Sequence, residues 1–233
     1  MGAWMNRRVS LARLTLWWPA VVASARPASA ATGLTQSDAA SAIRVALERG
    51  ALSAVALLGK TDGFLANPRV RIPLPGYLED AAKLLRKVGQ GKRVDELVTG
   101  MNRAAEQAVP EAKSLLVQAA RAITADDALR IVRGSDTSVT EYFAGKTRAP
   151  LGEKFLPIVT RATERVALAD KYNAVAARAS KFGLVKPEDA NLQQHVTTKA
   201  LDGLYLMIGE EERKIRRDPV ATGSAILRKV FGS

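Results

Sequence analysis

Residues 192–215 read LQQHVTTKALDGLYLMIGEEERKI, and their spacing decides the fold class. Leu192, Val196, Ala200, Leu204, Ile208 and Ile215 recur at intervals of four and then seven residues, which puts them on one side of a long α-helix. The same period runs outward in both directions. Phe155, Ile158, Val159, Ala162 and Val166 form one stripe, with Pro157 early in it, and Tyr172, Val175, Ala176, Ala179 and Phe182 continue it to Gly183. Lys186-Pro187-Glu188-Asp189 makes the loop before the long helix, and Ile226, Leu227, Val230 and Phe231 make an amphipathic segment after Pro219.

Toward the N-terminus, the spacing predicts a helix from Gln36 to Gly59, capped by Ser37 or Thr35, with Gly50 as a point of division. Leu78, Ala81, Ala82, Leu85 and Val88 mark a helix that ends at Gly89-Gln90-Gly91. Val94, Leu97, Val98, Met101, Ala105 and Ala108 mark another, which Pro110 restarts or kinks on the way to Ile123. Thr124-Ala125-Asp126-Asp127 is a capping-box-like start for a short helix ending at Gly134, and residues 136–143 make one more. Residues 60–75 break the pattern. Asp62-Gly63 and Asn67-Pro68 are turn signals, and Pro73 and Pro75 forbid a regular helix. The expectation is an all-α, multi-helix bundle with one long proline-bounded loop at residues 60–75.

Composition agrees. The chain has 233 residues, 47% hydrophobic and only 5% aromatic, and much of the apolar content is alanine, which suits close helix packing. Cysteine is absent, which excludes disulfides, thiolate metal sites and a cysteine nucleophile. Lys and Arg number 35 against 23 Asp and Glu, a net charge of +12. Arg7, Arg8, Arg13 and Arg26 precede residue 31 with no acid among them, so the rest of the chain carries +8. That excess suits an anionic partner, although no Lys/Arg block stands out from the interspersed acids.

Residues 1–30 read as a signal peptide: a basic start, an apolar stretch from Leu14 to Ala25, and a small-x-small site at Ala28-Ser29-Ala30 that permits cleavage after Ala30. Asn6-Arg7-Arg8-Val9-Ser10-Leu11 resembles a twin-arginine address, with Ser10 departing from the usual large apolar residue. The expectation is export to the periplasm, by the general secretory or the twin-arginine route. Residues 31–233 are then one all-helical domain with no membrane-spanning helix.

Several stretches carry a family resemblance. Gly59-Lys60-Thr61-Asp62-Gly63-Phe64-Leu65, Asn67-Pro68 and Val70-Arg71-Ile72-Pro73-Leu74-Pro75 are similar to an uncharacterised bacterial family, domain of unknown function 4197. So are Met101-Asn102-Arg103-Ala104-Ala105-Glu106, residues 182–191, and Lys199-Ala200-Leu201-Asp202-Gly203-Leu204. The resemblance covers the chain after the leader and implies an exported helical protein of the bacterial envelope. Some members look like lipoproteins, and this chain lacks the cysteine for that. No activity, cofactor or catalytic residue comes with it.

The candidate ligand-binding residues are Lys60, Asp62, Asn67, Arg69 and Arg71 in the loop, with Asn102 and Arg103 mid-helix. The turn-forming role of Asp62 and Asn67 is the plainer reading of those two. Asp202 sits in a run that is apolar almost all round, so it is expected to be buried and paired, with Arg103 the candidate partner. Glu210-Glu211-Glu212 points in several directions, and reads as i,i+4 pairs of Glu210 with Lys214 and Glu212 with Arg216 rather than a metal site. His195 is the only histidine, and no nucleophile elbow, zinc spacing, Walker loop or dinucleotide fingerprint accompanies it.

These residues favour a non-enzymatic envelope protein that binds an apolar or anionic ligand, a lipid or other anionic envelope component, or a protein partner. No metal or cofactor is expected, and neither is nucleic acid, since interleaved basic and aromatic residues are missing. A second reading is an enzyme that gathers Asp62, Asn102, Arg103 and Asp202 in one polar cleft. A third is a structural or assembly protein.

Overall fold

The computed structural model describes residues 36–164, 169–181 and 191–218. The described residues all belong to one compact unit. The leader, the motif at residues 182–190 and the segment after Pro219 lie outside them.

The fold is all-α, and no strand occurs among the described residues. In chain order the helices are α1 (Gln36–Leu58), α2 (Gly76–Lys87), α3 (Gly91–Ala108), α4 (Ala112–Arg121), α5 (Ala125–Val132), α6 (Ser138–Thr163), α7 (Ala169–Lys181) and α8 (Leu192–Arg217). A single 3-10 turn, Val109–Glu111, joins α3 to α4 around Pro110. There the missing proline N–H costs least, because a new helix is starting. Helix α1 packs on α8, α5 and α4, while α6 packs on α8 and α3. Their shared interior holds Ile43, Leu47, Met101, Leu116, Phe155 and Leu204, all with no more than 1% exposure. Helix α2 has α3 as its only substantial neighbour among the described helices.

Two sequence expectations change. Gly50 does not divide α1; it is buried, and the helix runs through it against α8, where a Cβ would sit 3.6 Å from Glu211. The short helix expected at residues 136–143 and the stripe from Phe155 onward are one helix, α6, with Pro150 and Pro157 inside it. Each proline deprives the carbonyl four residues back of its donor. Those carbonyls belong to Lys146 and Glu153, both exposed, so water can take the bond. The opposite face, Phe143, Leu151, Phe155 and Val159, is buried and holds the helix together.

Helix ends are satisfied by specific side chains. The Thr124 hydroxyl accepts from the Asp127 N–H at 3.2 Å, as the capping-box pattern implies. Hydrogen bonds from Thr124, Tyr142 and Arg130 hold the Asp127 carboxyl well below the usual carboxylate range. Asn191 caps α8 by accepting from the Gln193 and Gln194 N–H groups at 2.8 and 3.1 Å. The start of α6 is capped from another helix. Glu212 of α8, buried, accepts from the Val139 N–H at 3.2 Å, the Thr140 N–H at 3.0 Å and the Thr140 hydroxyl at 2.6 Å. Arg216 completes this site at 3.0 Å, as the i,i+4 reading expected. The other expected pair does not form: Glu210 meets Arg69 and Arg213, and Lys214 meets Glu211 at 2.6 Å.

Candidate functional site

Residues 59–75 contain no regular helix, yet their backbone is tied down. The segment turns through Asp62, whose φ of 66° is a left-handed conformation that aspartate tolerates better than most residues. Phe64, Val70 and Ile72 drop from it into the core, each less than 10% exposed. Helix α8 makes room with Gly203: a Cβ there would lie 2.8 Å from the Phe64 ring and 3.2 Å from Val70.

Helix α3 supplies the polar half of the attachment. Asn102, fully buried, accepts from the Ile72 N–H at 2.8 Å and donates to the Ile72 carbonyl at 3.0 Å. It thereby does for Ile72 what a neighbouring strand would do. One turn on, the Glu106 carboxylate accepts from the Phe64 and Leu65 N–H groups at 3.0 and 3.1 Å. Arg103 bridges Glu106 at 2.6 Å and Asp62 at 2.7 Å, and these two hydrogen bonds, Glu106 first, raise its pKa further. A buried carboxylate is tolerable only with such partners.

Each candidate residue therefore has a definite place. Asn102, Arg103 and Asp62 fasten the loop to α3. Asn67 makes a turn: its side chain accepts from the Arg69 N–H at 3.2 Å, and its carbonyl accepts from Val70 and Arg71. Arg69 pairs with Glu210 of α8. Lys60 is exposed on the first turn of the loop. Arg71 is exposed and lines a cleft.

Asp202 corrects the expectation of a buried residue paired with Arg103. Its side chain is 44% exposed, and it pairs with Arg148 of α6 and, at 3.6 Å, with Lys199. The apolar run around it misleads because Leu206, one turn on, also faces outward at 40% exposure. Asp62, Asn102, Arg103 and Asp202 are thus not gathered in one polar cleft. His195 is buried on α8. Among the described residues, no group of three His, Cys, Asp or Glu side chains is placed to hold a metal ion.

Arg71 leads to the open site. A cleft of about 330 Å³ lies between the end of the loop, α2 and α3. Pro73, Leu74, Ala82 and Val98 supply apolar walls, while Arg71, Lys83, Arg86 and Glu79 supply the charge. Arg86 also meets Asp95 at 2.5 Å across the α2–α3 turn. A second cleft of about 330 Å³, between α6 and α8, is lined by Arg148, Glu153, Leu156 and Thr197 among others, and its two charges balance. The first cleft carries an excess of cations beside apolar walls, which suits an anionic group attached to an apolar one. Periodicity could not reveal Lys83 and Arg86 as cleft residues, because the cleft exists only once the loop packs beside α2. Glu106 ends the Met101–Glu106 motif, but only its burial against two backbone N–H groups shows its role.

The model of one family, described as Protein of unknown function (DUF4197), matches residues 33–232. Comparison with curated proteins and with solved structures gives no match.

Proposed function

The chain belongs to the DUF4197 family, and since that family is described only as of unknown function, we propose a role from the chain's own surfaces. It is a non-enzymatic binding protein, exported to the envelope, that holds an anionic and partly apolar ligand in the cleft between residues 71–74, α2 and α3. The observation that carries this reading is the pairing of Arg71, Lys83 and Arg86 with the apolar walls of Pro73, Leu74, Ala82 and Val98. The volume is at the low end of small-molecule sites, about 300–1,000 Å³. It suits a headgroup and the first part of an attached chain rather than a whole lipid.

The non-enzymatic part is supported by how the polar residues are used: Asp62, Asn102 and Arg103 are engaged in fastening the loop. The export part is supported by the basic start, the Leu14 to Ala25 stretch and the Ala28-Ser29-Ala30 site.

Binding of dodecyl phosphate, an anionic headgroup on an alkyl chain, tests the cleft by calorimetry. The purified protein is expected to bind it, and Arg71→Glu with Lys83→Glu to weaken binding about tenfold or more, the scale of lost charge-assisted hydrogen bonds. Equal binding by the double variant sinks the assignment to this cleft.

A further inference from the structure

Helix α2 carries a second surface beside the cleft, and Lys83 and Arg86 border both. Its apolar positions cover a wider arc than α3 can bury. Leu78 and Ala82 are buried on the side that packs on α3, and Leu85 is 37% exposed. Leu84 and Val88, one turn apart on the far side, stand 64% and 70% exposed. They are the two most exposed large apolar side chains among the described residues.

Cations surround them. Residues 83–93 read KLLRKVGQGKR, with Lys83, Arg86, Lys87, Lys92 and Arg93 and no acid. The acids of α2, Glu79 and Asp80, lie in its first half; beyond the turn Asp95 pairs with Arg86 and Glu96 stands exposed beside Lys92, so residues 83–96 hold five cations against two acids. The display is held in shape. Gly89 takes a φ of 77°, its N–H donates to the Arg86 carbonyl at 3.2 Å, and the Gln90 N–H donates to the Leu85 carbonyl at 2.8 Å. This is a Schellman closure, which fixes the direction in which the turn leaves the helix.

We infer that the α2–α3 tip docks the protein on an anionic bilayer. Leu84 and Val88 enter the boundary between headgroups and acyl chains, and Lys87, Lys92 and Arg93 lie against the headgroups. The choice of partner follows from charge complementarity. The partner must offer apolar depth and negative charge together, which an anionic lipid surface does. A second copy of the tip would set one net positive surface, five cations with two acids, against another. A nucleic acid offers charge but no apolar layer for Leu84 and Val88. Two apolar side chains and a few charges make a weak, reversible and salt-sensitive attachment.

Cosedimentation of the full chain with vesicles tests this, using phosphatidylcholine alone or with about one third phosphatidylglycerol, at about 0.1 M salt. The apolar stretch from Leu14 to Ala25 is present in every variant, so differences between variants read the tip. Binding is expected on the anionic vesicles and to fall as salt rises. Leu84→Ser with Val88→Ser is expected to weaken it about tenfold or more. Lys87→Gln, Lys92→Gln and Arg93→Gln are expected to weaken it about fivefold for each charge removed. All five positions are exposed, so unchanged circular dichroism confirms that the fold is intact in both variants. Wild-type binding by either variant overturns the proposal, as does a dimer in sedimentation equilibrium that Leu84→Ser with Val88→Ser dissociates. If only Arg71→Glu abolishes vesicle binding, the lipid belongs to the cleft and the tip proposal fails. If Arg71→Glu loses dodecyl phosphate but keeps vesicle binding, both assignments stand separately.

Discussion

Residues 59–75 and the end of α2 are neighbours along the chain and opposites in how they are held. The first has no regular backbone pattern, yet its N–H groups at Phe64, Leu65 and Ile72 are taken by two side chains of α3. Its apolar residues Phe64 and Ile72 are completely buried. The second is a regular helix with a well-formed terminus, yet Leu84 and Val88 face outward with nothing described over them. A segment is fixed in a fold when its polar backbone finds partners and its apolar side chains find cover, and helical regularity secures only the first of these. The irregular segment is the one held on both counts, and the apolar surface left uncovered is on the regular one.

Glu106→Ala is the strongest challenge to this contrast. It leaves the buried Phe64 N–H and the half-buried Leu65 N–H without an acceptor and Arg103 with only Asp62, so a loss of about 3–5 kcal/mol is expected in urea unfolding. Asp62→Asn keeps a residue that tolerates the left-handed backbone and removes only the charge at the exposed end of the same network (Asp62 is 52% exposed), so it should cost less than about 1 kcal/mol. Similar values for the two would mean that Glu106 does not pin the loop. Asn102→Ala comes next, at about 1–3 kcal/mol, because the Ile72 N–H and carbonyl lose their partner inside the core. Hydrogen exchange at Ile72 should speed up in that variant. The smallest effect belongs to the other region: Leu84→Ser with Val88→Ser should change the thermal midpoint by the equivalent of no more than about 1 kcal/mol. A large destabilisation there would show that the face is covered in solution and that the contrast is false.

Much of the helical layout was legible. The four-residue spacing from Leu192 to Ile208 marks α8 because one side of a helix must be apolar to pack. Gly89-Gln90-Gly91 marks the end of α2 because a left-handed residue is needed there, and glycine adopts it without strain. The continuity of α6 was not legible, because proline signals a break, and only the burial of the opposite face overrides it. The exposure of Asp202 was hidden in the same way, since an apolar neighbourhood in sequence is not an apolar neighbourhood in space. The basic run at residues 83–93 did not stand out among the interspersed acids of the sequence, and its meaning depends on two apolar neighbours, Leu84 and Val88, being left uncovered.

By itself, then, the sequence determined the all-α class, most helix boundaries, the position of the irregular loop and the membership of the family. These follow from local rules: periodicity, caps, glycine and proline geometry, and motif identity. Only the tertiary structure decided what the polar residues do. Asn102, Arg103 and Glu106 could each have faced a ligand, and it is the descent of Phe64, Val70 and Ile72 into the core that turns them toward the loop backbone. The physical reason is that a polar side chain's role is set by the unsatisfied groups that packing brings within about 3 Å of it, and those groups lie some thirty to forty residues away in the chain.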